Sequence, residues 1–164
     1  KIIFATGYDA LSGPILSLNL IGRKKIKLKK YWKNGPKTFL GIMIPNFPNF
    51  FIISGPGSPS VLTNVPAQIQ QHVEWISNFI KYLEKVKSIS VEPSFKETEN
   101  WVKKINKLAK KSLFMKAKNS WYKGDNIPGK PKKFIPYPAG LPQYKKICNK
   151  VQKRMYKGFK ISLK

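Results

Sequence analysis

The chain has 164 residues, enough for one domain with a buried core, and its 41% hydrophobic and 13% aromatic content excludes a disordered tail or a low-complexity linker. Thirty-two basic residues against seven acidic ones give a formal charge of +25, yet every basic residue except Arg23 and Arg154 is a lysine, and the lysines are spread along the chain. Surfaces that read phosphate by geometry favour the guanidinium fork, so this charge points to a solvated lysine-rich surface before it points to nucleic acid or an anionic membrane.

The lone Cys148 excludes an internal disulfide and a multi-cysteine metal site, which makes a reducing compartment, the cytoplasm, the default. No apolar run of ~18 residues is present to span a bilayer as a helix. The sequence opens on a strand-like run instead of Met, as a piece of a larger protein would.

Lys1, Ile2, Ile3, Phe4 and Ala5 read as a strand, turned by Thr6, Gly7, Tyr8 and Asp9. Alternating Leu16, Leu18 and Leu20, then Gly22 and Arg23, then Ile26 and Leu28, predict a hairpin with one buried face, closed by Tyr31 and Trp32. After an apolar run at 39–44, Phe50, Phe51, Ile52 and Ile53 follow without interruption, the pattern of a strand buried on both faces. That strand stops at Gly55-Pro56-Gly57-Ser58-Pro59. Beyond it Leu62, Val65, Ile69, Val73, Ile76, Ile80 and Leu83 step by three and four, predicting one apolar stripe on a helix capped by Thr63 or Asn64, with Pro66 tolerated in the first turn.

Strand, glycine-rich turn and helix make a corner where, in an open α/β sheet, helix N–H groups face an anionic or electron-rich ligand. The same stretch reads equally as a plain Gly/Pro chain reversal. As a dinucleotide fingerprint it is incomplete, because Ser60 stands at the third glycine position.

Farther on, Ile89 and Val91 mark a short strand, and Ser94 with Glu97 forms a capping box for a helix that turns Trp101, Ile105 and Leu108 inward. Residues 116–141 are dense in Gly and Pro but hold Trp121, Tyr122, Phe134 and Tyr137, so the loop is expected to be ordered. A last helix carries Tyr144, Ile147, Val151 and Met155 on one stripe and ends at Gly158, before an edge strand through Phe159, Ile161 and Leu163. The fold class is α/β.

Local chemistry names no catalyst. His72, the single histidine, lies on the expected apolar face and reads as a hydrogen-bonded core residue. Ser58 and Ser60 do not sit in a nucleophile elbow and the acidic residues are scattered, so neither a Ser-His-Asp triad, nor a carboxylate pair, nor a metal site is supported. Trp121 either stacks on a planar ligand or anchors its loop.

Four separated strings go further: FATGYDA from Phe4, GPGSPSVLTN from Gly55, QHVEWI from Gln71 and NSWYKGDNIPGKP from Asn119, with YKGF near the end. In this order and spacing they resemble the carboxyl-terminal third of flavin-dependent Baeyer-Villiger monooxygenases of the cyclohexanone and phenylacetone type. The resemblance implies that residues 1–164 are the C-terminal part of a Rossmann-like FAD/NAD(P)-binding domain, incomplete as supplied. Residues 1–10 would return from an NADPH domain, and residues 116–141 would be a mobile cofactor loop.

It further implies cofactor contacts at Ala5, Thr6, Gly7, Gly55, Pro56, Asn64, Val65 and Trp121, and substrate contacts at Ser60, Val61, Leu62 and Val65. The implied reaction inserts one atom of dioxygen beside a ketone carbonyl, using FAD and NADPH, with the remainder of its own chain as partner and neither nucleic acid nor membrane involved. The family's glycine fingerprints and catalytic arginine are not in this sequence, so the chain alone is expected neither to retain FAD nor to oxidise NADPH. Lys123 and Asp125 depart from the residues usual around Gly124, and Val65 stands where Met or Leu is common. The alternatives are a related flavin monooxygenase acting on nitrogen or sulfur, a lysine-rich module binding nucleic acid or anionic lipid, and a remnant without function.

Overall fold

Three amphipathic helices carry the fold, and the computed structural model describes them within residues 2–3 and 8–164. After two single-turn helices, α1 (Gly13–Ser17) and α2 (Leu28–Tyr31), come α3 (Val65–Lys85), α4 (Phe95–Lys110) and α5 (Gly140–Lys153). Strands β1 (Ser88–Pro93) and β2 (Phe159–Leu163) pair antiparallel, with Val91 opposite Ile161. Helix α3 starts where Asn64 Oδ1 accepts the Ala67 N–H at 3.0 Å, with Pro66 in the first turn, where a missing N–H costs nothing. Helix α4 starts where Ser94 Oγ accepts the Glu97 N–H at 3.2 Å. The reciprocal half of the expected capping box is not made: the Ser94 N–H donates instead to Gly158 O at 2.8 Å, tying the head of α4 to the approach to β2.

Aromatic side chains fill the main core. Phe79 of α3 stacks on Tyr156 at 4.0 Å between centroids, with Trp75 and Phe159 at its edges, and Trp101 of α4 lies nearly parallel to Tyr137 at 5.1 Å. Burying a ring of this size contributes ~2 to 3 kcal/mol, which is why so short a sheet suffices. A second cluster, built on Leu28, Trp32, Ile44, Phe47 and Ile52, gathers the amino-terminal part.

Among the described residues, much of the sheet expected in the first half is absent. The stretch at 16–28 forms α1, a 3-10 turn at Arg23–Lys25 and the start of α2, with one bridge, Ile21 to Lys27, where the hairpin should run. Residues 50–53 are not a strand: Phe51 makes a single bridge to Met43, Ile52 is buried, and Ile53 is 49% exposed. Left-handed backbone at Leu40, Gly41, Asn46, Asn49 and Ser54 reverses the chain every few residues, so both apolar runs are irregular chain, the first buried throughout and the second buried only at Ile52. Ile2 and Ile3 are exposed and in no element, and the rest of the expected first strand lies outside the described residues.

Two helical stripes are also corrected. The buried face of α3 is Gln68, Gln71, His72, Trp75, Ile76 and Phe79, whereas Ile69, Val73 and Ile80 are exposed. Rings at 75 and 79 outweigh the aliphatic stripe, and polar residues at 68 and 72 find partners on that face. Helix α5 ends at Lys153, so Met155 turns out to solvent, 72% exposed, and Tyr156 takes its place inside.

The outer edge of β1 is closed by side chains. Asn49 donates its backbone N–H to Val91 O and accepts the Val91 N–H on Oδ1, both at 2.9 Å. Arg23 Nε donates to Glu92 Oε1 at 2.9 Å, and the Asn46 N–H donates to Glu92 Oε2 at 2.6 Å. Among the described residues no helix is long and apolar enough to cross a membrane.

Candidate functional site

The glycine-rich turn is held from below by a second glycine that the sequence pattern hid inside an apolar run. A Cβ on Gly41 would lie 2.5 Å from Ser58 N and 2.9 Å from Gly55 O, and one on Gly55 would lie 2.5 Å from Gly41 O, so the two backbones touch. Gly57, at φ +91°, completes the turn, and its carbonyl accepts Trp101 Nε1–H at 3.1 Å. Thr38 Oγ1 donates to Pro56 O, and Ser58 Oγ donates to Gly55 O at 2.8 Å. Every residue from Gly55 to Ser60 is buried, so the turn is a rigid platform, with the 3-10 turn Ser60–Leu62 and then α3 leaving from it.

Helix α3 clamps the other side of the turn. The Ser54 N–H donates to His72 Nδ1 at 3.2 Å, which puts the imidazole proton on Nε2, 2.7 Å from Tyr144 Oη; Tyr144 in turn donates to Leu40 O. Ser54 Oγ donates to Gln68 Oε1 at 3.0 Å. Burial pushes His72 down to about 4, so the ring is neutral at physiological pH, and pushes the neighbouring Cys148 thiol up to about 12. His72 is therefore the core histidine expected, and its work is to hold Ser54 and Leu40 in place.

At the head of α3 few donors remain for a ligand. Pro66 has none, the Ala67 N–H is taken by Asn64 Oδ1 and the Gln68 N–H by Asn64 O; the Val65 N–H has no acceptor among the described residues. Val61 is 46% exposed beside it, while Leu62 is half-buried against the main core.

The long loop is folded and sewn to the turn. Gly57 N–H donates to Ile135 O at 2.9 Å and Tyr137 N–H to Ser58 O at 2.7 Å, while Phe134 and Tyr137 are buried as their aromatic character predicts. Lys123 and Asp125, the two departures around Gly124, pair with each other at 3.0 Å. Asp125 also accepts the Ser120 N–H, and its bond to Lys123 holds its carboxyl below the usual range. Tyr122 packs on Phe114 and anchors the loop; Trp121 is half-buried and lies against Tyr122 at 4.1 Å.

Gly55, Pro56, Ser60, Val61, Leu62, Asn64 and Val65 thus share one turn-to-helix corner, Trp121 stands in the loop stitched to it, and Ala5, Thr6 and Gly7 lie outside the described residues. Sequence reasoning missed the support provided by Thr38, Gly41 and Trp101. An isolated glycine within an apolar run, Gly41, was the available signal for a close backbone approach. Among the described residues no group of His, Cys, Asp and Glu is arranged to hold a metal.

No family model matches the chain. Its fold superimposes on a closed crystal structure of cyclohexanone monooxygenase with a TM-score of 0.94 at 35% identity, over 98% of this chain and 30% of that one. It superimposes on the OTEMO complex with FAD and NADP with a TM-score of 0.90 at 28% identity, over 98% of this chain and 29% of that one. It is also 40% identical over 155 residues to a Baeyer-Villiger monooxygenase of Pseudooceanicola batsensis, matching 94% of this chain and 28% of that protein.

The buried glycine turn leading into a long capped helix lies on a fold shared with these monooxygenase structures. Nearly the whole chain is similar to Baeyer-Villiger monooxygenases, and it spans under a third of the length of the curated relatives it matches.

Proposed function

We propose that the chain is part of an FAD- and NADPH-dependent enzyme that inserts one atom of dioxygen next to a ketone carbonyl, giving an ester or lactone. The likeness of nearly the whole chain to cyclohexanone monooxygenase carries this reading. In this reading the chain is the carboxyl-terminal part of a Rossmann-like FAD/NAD(P)-binding domain, and the remainder of the protein covers the exposed apolar face of α3 at Ile69, Val73 and Ile80. It works in the cytoplasm, where the single buried thiol needs no partner, and engages neither nucleic acid nor membrane.

The residues at the corner fit a flavin to a definite extent. The Val65 N–H, without an acceptor among the described residues, stands at the positive end of a 21-residue helix, and the rigid platform of Gly55 and Pro56 fixes where that donor points. When bound, FAD supplies the oxygen chemistry. The chain's own part is to present the Val65 N–H toward developing negative charge, with Asn64 holding the helix head in place, and to shape the ketone pocket with Ser60, Val61, Leu62 and Val65. Trp121 meets the nicotinamide cofactor, and Ala5, Thr6 and Gly7 join the FAD domain to its NADPH counterpart.

The test is a matrix of kcat/KM for several ketones, with stopped-flow flavin reduction, in the full-length protein. Val61→Ala and Leu62→Ala are expected to reorder the ketones by about 1 to 3 kcal/mol between substrates differing by a methylene or two, leaving reduction by NADPH unchanged. Val61→Ala does this without loss of stability, because that side chain is exposed; Leu62→Ala also lowers the melting temperature, because half of its side chain lies in the core. Trp121→Ala should slow the NADPH-dependent steps for every ketone alike. An intact ketone ranking combined with slowed reduction in the Val61 and Leu62 variants would remove the pocket assignment.

A further inference from the structure

With 32 cations against seven carboxylates, a lysine without a partner says nothing here, but an arginine is informative, because its planar fork suits a specific oxyanion. Arg23 is accounted for by Glu92 and by Ser90, to whose Oγ it donates at 3.2 Å. Arg154, at the end of α5, has no carboxylate partner among the described residues. It borders a cavity of about 300 Å³ between α4 and α5. Phe39, Trp101, Ile147 and Val151 make an apolar floor, and the exposed Lys104, Lys150 and Lys157 converge with Arg154 around it; Glu97 is the one carboxylate in the lining.

We propose that this cavity binds a small amphipathic carboxylate, with its hydrocarbon on the apolar floor and its carboxylate drawn to Arg154. The volume is at the low end for small-molecule sites, too small for a folded partner. A nucleotide fits the lining poorly: its ribose and base edges would face Phe39, Ile147 and Val151, and Asn100 is the only neutral hydrogen-bonding side chain on hand. A bare inorganic anion would leave the apolar floor wet. Four cations around one hydrophobic hollow match a ligand that is anionic at one end and greasy at the other. The site shares no residue with the corner at 55–65, yet Trp101 belongs to its floor while donating to Gly57 O, so occupancy is visible in indole fluorescence.

Decanoate is the probe, titrated calorimetrically into the full-length protein at low salt, with decanol and inorganic phosphate as comparisons. The expected result is saturable one-to-one decanoate binding, with decanol roughly tenfold weaker and phosphate unable to compete. Arg154→Gln, at an exposed position, should leave the melting temperature unchanged and weaken decanoate about five- to tenfold. Asn100→Trp, also exposed, fills the cavity while keeping every charge, and should abolish binding. Decanoate affinity unaltered in both variants, decanol binding as tightly as decanoate, or phosphate binding with the same Arg154 dependence would each overturn the proposal. None of these outcomes depends on whether the protein oxygenates ketones.

Discussion

Gly41→Ala will lower the unfolding free energy by roughly 3 kcal/mol, and Gly129→Ala by only about 1 kcal/mol. Both glycines have left-handed backbone, φ +70° and +76°, so the conformational cost of a side chain is shared. They differ in what a Cβ meets. At 129 nothing lies within 4 Å, whereas at 41 Ser58 N is at 2.5 Å, Ser58 Cβ at 2.7 Å and Gly55 O at 2.9 Å, and backbone atoms cannot swing aside as a lysine tip can. The difference between the two variants therefore isolates the contact on which the turn rests. Urea midpoints at constant slope measure it, and equal costs would mean that the platform is not held from beneath.

Acid should unfold the protein earlier than its few carboxylates predict. His72 is neutral and buried in the folded state, with its pKa lowered from 6.5 to about 4 by burial, and it regains an ordinary value on unfolding. Unfolding then takes up a proton, so the stabilisation is complete above pH 6.5 and is lost as the pH falls toward 4, by roughly 3 kcal/mol over the window. The chain has one histidine, and Tyr144 and Cys148 beside it are pushed upward by burial, so they stay neutral throughout. His72→Gln is expected to be less stable than the parent at pH 7 but to lose much less between pH 6.5 and 4.5. Denaturation curves at four or five pH values decide it, and parallel pH dependences would sink the idea.

The helices and their caps were legible in the sequence because they rest on local rules: Asn64 and Ser94 satisfy N–H groups three residues ahead, whatever the rest of the chain does. The strands were much less so. An apolar run such as 50–53 records hydrophobicity without recording conformation, and the left-handed residues that bound it here, Asn49 and Ser54, are ordinary polar residues in a list of letters. The α3 stripe misled for a related reason. Gln68 and His72 look like surface residues until Ser54 and Tyr144, which are distant in sequence or across a turn, are seen to bond them. The corner at 55–65 was readable as a unit because it is one continuous stretch of chain; its support by Thr38, Gly41 and Trp101 comes from elsewhere in the chain, and no spacing rule reaches that far.

The pair of hydrogen bonds between Asn49 and Val91 bears on how the protein behaves when crowded. A two-stranded sheet has two outer edges, and each is a template on which a second molecule can lay a strand and begin a fibre. On β1, one residue of irregular chain occupies that template, using a side-chain oxygen where a third strand would use a carbonyl. The Asn49 side-chain amide also donates to Ile89 O at 3.4 Å on the same edge. Growth by strand addition is therefore obstructed at β1, and in a concentrated solution the remaining route is through the edge of β2, where Lys160 and Lys164 place positive charge in the way of an approaching copy.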